Sequence, residues 1–185
     1  MIYVIDHEDS FTYNLVHLLE GFAPTYVSNY YDINWHQLEK SKIIIFSPGP
    51  GNPSNYPETQ KVYNKYKGKK KIIGVCLGFQ QILYAENAHI VPQKKIYHGY
   101  QSKVKALKES TLFKPNKVFL AGRYHSLKLK EPFNSVSLKI TMRCVESNVA
   151  MAIEDTINNV YGFQFHPDSF LTVDGKFLIQ KVLQF

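Results

Sequence analysis

The chain has 185 residues, of which 44% are hydrophobic, 14% aromatic and 20% charged, so it carries the apolar mass of one globular core and is not a disordered chain. Two cysteines exclude a disulfide framework, and no apolar run approaches the roughly 20 residues of a membrane helix. The net charge of +7 raises nucleic acid as a partner, but Arg123 and Arg143 are the only arginines and the lysines scatter, one cluster at Lys67, Lys69, Lys70 and Lys71 apart; nucleic acid is not expected, and an anionic small molecule or an acidic partner face accounts for the charge equally well.

The chain opens as strand, turn and helix. Ile2 to Ile5 is a short apolar run suited to a strand buried on both faces. Its acidic continuation lacks the basic start and long apolar stretch of a signal peptide, so a reducing, cytoplasmic setting is expected. Asp9 and Ser10 can cap a helix whose buried face is Phe11, Leu15, Leu18, Leu19 and Phe22. Thr25 to Ser28 reads as strand, Ile33 to Lys40 as a short helix, and Lys42 to Phe46 as a buried strand. Residues 47–58 hold four prolines and two glycines and form a loop. Glu58 to Tyr66 reads as helix, Ile72 to Val75 as strand and Leu77 to Glu86 as helix. This alternation predicts a parallel sheet covered by helices. From His89 the texture changes to short extended segments at Val104–Leu107, Val118–Ala121, Val136–Arg143, Ala150–Glu154 and Val160–Phe165, which predict a more antiparallel half. Leu171 to Phe185 closes the chain as a helix burying Phe177, Leu178, Val182 and Leu183. The expected fold is one α/β domain over residues 1–185, with a mixed, mostly parallel sheet flanked by helices.

Three segments carry chemistry. Gly74-Val75-Cys76-Leu77-Gly78 places a nucleophile between glycines, after a buried strand and before a helix. Cys76 there faces the free amides and the positive end of the helix dipole, which favour a thiolate. A cysteine nucleophile needs a base and an orienting group. His166, within Gln164-Phe165-His166-Pro167-Asp168, follows an apolar strand, and Pro167 forces an extended backbone at His166. His166 and Asp168 then point the same way, so the carboxylate can accept one ring N–H and leave the other nitrogen to the thiol. Gly49-Pro50-Gly51 follows a strand of the same parallel half. Ligands of such sheets bind at the carboxyl ends of the strands, so amides of Gly51 and Leu77 are candidates for an oxyanion hole. Cys144 reads as a core cysteine; His98 and His125 are candidates for the site wall or a partner face. No spacing suits a metal or a phosphate-binding glycine loop.

These residues resemble those of the class I, triad-type glutamine amidotransferases, more narrowly the glutaminase subunits of anthranilate synthase and aminodeoxychorismate synthase. The matching segments are IDHEDSFTYNL (5–15), SPGPGNP (47–53), GVCLGFQQI (74–82), HG (98–99), YHSL (124–127) and YGFQFHPDSFLT (161–172), in family order over nearly the whole length. The resemblance implies a triad of Cys76, His166 and Asp168. It implies oxyanion and glutamine contacts from Gly49, Pro50, Gly51 and the Leu77 backbone, and glutamine-holding roles for Gln80, Ser126 and Leu127. Gln80 lies four positions after Cys76 and so shares its helix face. In two places this chain departs from the family's usual pattern: Asp168 stands where glutamate is usual, and Phe79 where the narrower group has histidine.

The implied reaction is hydrolysis of the glutamine side-chain amide through a Cys76 thioester, with no cofactor in this chain. Ammonia in neutral water is mostly ammonium, which is not a nucleophile, so it must pass directly to an acceptor site. The resemblance names the partner as a chorismate-using synthase subunit making anthranilate or aminodeoxychorismate. The alternatives are a catalytically weak regulatory module and a free-standing γ-glutamyl hydrolase.

Overall fold

The apolar runs that start at Ile2, Ile43 and Ile72 each lie as strands between two layers of helix, which is why they show no polar alternation. The computed structural model describes residues 1–184. In it β1 (Ile2–Asp6), β2 (Thr25–Asn29), β3 (Ile43–Phe46) and β4 (Lys71–Val75) run parallel. They are linked by α1 (Thr12–Glu20), α2 (Trp35–Lys40) and α3 (Pro57–Tyr66). After α4 (Leu77–Ala85) come β5 (Ile90–Pro92), β6 (Tyr100–Ala106), β7 (Val118–Arg123), β8 (Leu127–Leu129), β9 (Lys139–Cys144), β10 (Ala150–Asp155), β11 (Val160–Phe163) and α5 (Gly175–Gln184).

One nine-stranded sheet runs in the order β2-β1-β3-β4-β11-β10-β9-β6-β7. β11 is the hinge of its character: parallel to β4 on one side, antiparallel to β10 on the other. Alternate residues of β1 divide the core, Ile2 and Val4 packing with α1 and α5, Tyr3 and Ile5 with α2, α3 and α4. β1 lies between β2 and β3, so the connections leaving it and β3 part to opposite sides and open a crevice at their carboxyl ends.

The expected α/β class and the split between parallel and antiparallel halves are both present. Several boundaries shift. α1 begins at Thr12, two residues later than the Asp9 cap predicts, because the Asp9 carboxylate accepts the Phe11 amide inside the preceding turn. α2 starts at Trp35, since the Asn34 side chain caps it by accepting the Gln37 amide. The strand expected at Val136–Arg143 is Lys139–Cys144; Val136 is 96% exposed in a bend where Ser135 Oγ accepts the Leu138 amide and Ser137 Oγ donates to the Asp155 carboxylate. The pairing of β5 with β8 has no counterpart in the sequence pattern. The last helix does not include Leu171–Asp174. Thr172 instead accepts the Gly122 amide and donates to the His166 carbonyl, which holds a turn there. Phe177 stays 42% exposed rather than buried, and Leu183 is half-buried, while Leu178 and Val182 are in the core as expected. Phe185 lies outside the described residues.

Candidate active site

The strand-to-helix turn at Cys76 is drawn tight by backbone contact. A side chain on Gly78 would stand 2.1 Å from the Phe46 carbonyl oxygen, so glycine alone lets α4 pass this close to β3. Cys76 itself takes φ +53°, ψ −102°, a strained conformation for a residue with a Cβ. Its amide donates to the Phe163 carbonyl at 2.8 Å, tying the elbow to β11. The first amides of α4 have no acceptor within the helix and open at the same point.

The loop after β3 leans on this elbow. A side chain on Gly49 would lie 2.5 Å from both His7 Cβ and Leu77 Cδ2, so Gly49 packs against the start of α4. His7 fixes the loop from behind: its amide donates to Ser47 Oγ, its Nδ1 lies 3.1 Å from Ser47 Oγ and its Nε2 lies 2.9 Å from Thr59 Oγ1 of α3. Burial pushes His7 down to about 3, so it is neutral here.

Gly49, Pro50, Gly51, Cys76, Leu77, Gln80, Ser126 and Leu127 line one crevice of about 270 Å³, a size for a ligand no larger than an amino acid. Cys76 also lines the adjoining hollow of about 280 Å³, together with His166. The structure therefore gathers eight of the ten expected residues around one space, brings His166 in beside Cys76 and sets Asp168 behind it.

His166 is fully enclosed. Its ring packs edge-on against Phe11 and Tyr124, at 5.1 and 4.9 Å between centroids. Tyr124 is held in turn by Ser169, 2.9 Å from its hydroxyl. Nδ1 of His166 lies 3.7 Å from Asp168 Oδ1, too far for a hydrogen bond; neither ring nitrogen and neither carboxylate oxygen has a partner. Burial works against charge on this ring, but the Cys76 sulfur and the Asp168 carboxylate outweigh it and raise His166 to about 10. The arrangement favours an imidazolium beside the sulfur.

Gln80 donates to the Gln164 side-chain oxygen at 3.0 Å and weakly to the Leu127 carbonyl at 3.5 Å. Gln164 in turn points its amide nitrogen at the Cys76 carbonyl, 3.5 Å away. The sequence reading missed Gln164, Phe11 and Tyr124 as site neighbours. Gln164 sits two positions before His166 in extended chain, a spacing that puts both on one side and was its only signal. Phe11, expected on the core face of α1, is turned toward His166 instead. His98 lines the crevice, and His125 forms part of its wall.

The family profile described as "Glutamine amidotransferase class-I" matches residues 3–184. The chain is 40% identical over 192 residues to anthranilate synthase component 2 of Pyropia yezoensis, covering all of both chains. It is 36% identical over 183 residues to anthranilate synthase component 2 of Lactococcus lactis, covering 97% of this chain and 92% of the relative. The crystal structure of a glutamine amidotransferase from Thermotoga maritima has the same fold, with a TM-score of 0.75 at 13% identity over 99% of this chain and 96% of that one.

Proposed function

The chain belongs to the class-I glutamine amidotransferases, and we propose that it is the glutaminase subunit of a chorismate-using synthase, cleaving the side-chain amide of L-glutamine through a thioester on Cys76. The observation that carries this reading is the strained Cys76 elbow at the start of α4, sharing a hollow with an enclosed His166.

The steps follow from the positions of the groups. Glutamine occupies the crevice between the Gly49–Gly51 loop and the Ser126–Leu127 wall, with Gln80 beside it. The ionised Cys76 sulfur attacks the amide carbon. The amides of Gly51 and Leu77 receive the developing oxyanion, aided by the dipole of α4. His166, charged in the resting site, donates its proton to the departing nitrogen. Ammonia leaves, the thioester remains, and neutral His166 then draws a proton from water as it attacks. Asp168 steadies the ring between the two charge states. The cycle uses side chains of this chain and water, with no cofactor.

The ammonia passes to a second, synthase chain. The names of the curated relatives support a partner of the component I type and anthranilate as product; aminodeoxychorismate is the other product of such a synthase. Two free cysteines and the absence, among the described residues, of a helix long and apolar enough to cross a membrane fit a cytoplasmic enzyme.

Replacement of Cys76 by alanine tests the assignment. Mixed with a chorismate-using synthase subunit, the Cys76→Ala chain loses glutamine-dependent formation of the aromatic product by at least about a thousandfold. Synthesis from added ammonium salt stays within about twofold, because Cys76 takes no part in it. Loss of both activities overturns the role given to Cys76.

A further inference from the structure

Among the described residues the largest fully buried side chain is a cation, Arg123, at the end of β7. Among the described residues no carboxylate pairs with it. Its Nε–H donates to His125 Nε2 at 3.0 Å, and Nη1 reaches Cys144 Sγ at 3.4 Å and Ser102 Oγ at 3.5 Å. The guanidinium lies 3.5 Å from the centroid of the Tyr97 ring, and Nη2 has no partner. A buried guanidinium without an anion costs the fold desolvation energy, and an apolar side chain of similar volume would avoid that cost. Its shortest bond is to His125.

That bond fixes a tautomer. Nε2 of His125 must accept, so the ring proton sits on Nδ1. Nδ1 lies 2.8 Å from the Leu127 carbonyl and donates to it. The ring is held neutral as well: burial and then the Arg123 charge lower His125 to about 3. Between His125 and Leu127 stands Ser126, whose carbonyl accepts the Gln93 amide at 2.9 Å and whose exposed side borders the crevice. The Leu127 carbonyl also faces Gln80. One chain of donors thus runs from Arg123 through His125 to the wall of the crevice opposite the Gly49–Gly51 loop.

We propose that Arg123 is a positioning residue for glutamine recognition: it holds His125 in the Nδ1–H form, and this form sets the Ser126–Leu127 wall against which the substrate lies. The inference rests on the amidotransferase reading of the crevice and adds to it a positioning residue, Arg123, that does not itself line the crevice.

The test uses the full chain and a diazoketone analogue of glutamine that alkylates Cys76. Saturation kinetics separate the inhibition constant KI from the inactivation rate kinact, and iodoacetamide gives the reactivity of Cys76 without recognition. Asparagine places an amide N–H where His125 has Nδ1; glutamine places its polar end where His125 has Nε2. His125→Asn therefore keeps KI within about threefold of the native chain, whereas His125→Gln raises it about tenfold, with the change falling on KI rather than kinact. Arg123→Met raises KI several-fold in the otherwise native chain and adds nothing in the His125→Asn background, where no tautomer is left to fix. Equal KI values for His125→Asn and His125→Gln overturn the proposal, as does an Arg123→Met effect of the same size in both backgrounds. If Arg123→Met fails to fold by thermal melting, the two His125 variants decide alone. A native chain that iodoacetamide modifies and the analogue ignores refutes the amidotransferase reading itself, and that outcome is distinct from the others.

Discussion

Glutamate carries its carboxylate on two methylenes and aspartate on one, and at position 168 that difference is visible as distance. Asp168 Oδ1 stops 3.7 Å from His166 Nδ1, and both groups are buried without partners. Two enclosed groups facing each other across an unclosed gap are poised to approach, and catalytic hydrogen bonds are often long in an empty site and tighten around substrate. A side chain one methylene longer has the reach to close the gap. Asp168→Glu is accordingly expected to keep glutamine turnover within about threefold of native or to raise it, while Asp168→Asn, which cannot stabilise the imidazolium, lowers kcat by about a hundredfold or more. Steady-state glutamate release in the presence of the synthase partner measures both. Equal loss in the two variants contradicts an orienting carboxylate at this position.

At the scale of elements, the site is made where strand ends meet loops that only particular residues permit. The Gly49–Gly51 loop is set by neutral His7 between Ser47 and Thr59, and the Ser126–Leu127 wall by neutral His125. Both rings titrate near 6.5 when unfolded and near 3 in the fold. As pH falls below 6.5 the unfolded chain takes up protons that the native rings refuse, so stability falls. Each ring contributes a slope of about 1.4 kcal/mol per pH unit once well below 6.5. His166 has the opposite sense: raised to about 10, it gives stability that is full below 6.5 and lost between there and about 10, so it leaves the acid slope unaffected. Urea unfolding at about pH 6 and about pH 5, above most carboxylate titration, is expected to show a loss of roughly 2 kcal/mol, and His125→Asn to remove about half of it. A flat profile, or a slope that His125→Asn leaves unchanged, contradicts neutral burial of these rings.

Across the whole molecule, legibility follows locality. The parallel half was readable because strands covered on both faces are unbroken apolar runs, and Ile43–Phe46 and Lys71–Val75 fall where those runs lie. The antiparallel half was readable in its strand segments, since Val118–Ala121 and Ala150–Glu154 fall within β7 and β10, but not in its ends, which are set by side chains far along the chain. Val136 looked like strand and is in a bend; Leu171 looked like helix, yet the turn after it is held by Thr172 bonds to Gly122 and His166. The same holds for the site. The Cys76 elbow and the His166–Asp168 pair are written in neighbouring residues. The link from Gln80 through Gln164 to Cys76 joins positions more than eighty apart, and the Arg123–His125 bond needs a buried cation that composition gives no reason to bury. The proposed function turns on covalent chemistry at one sulfur. Acid quenching during turnover of isotopically labelled glutamine, followed by peptide mass analysis, tests this directly. The account predicts a transient γ-glutamyl adduct on the peptide containing Cys76, absent in Cys76→Ser; turnover with no adduct, or with the label on Cys144, would contradict it.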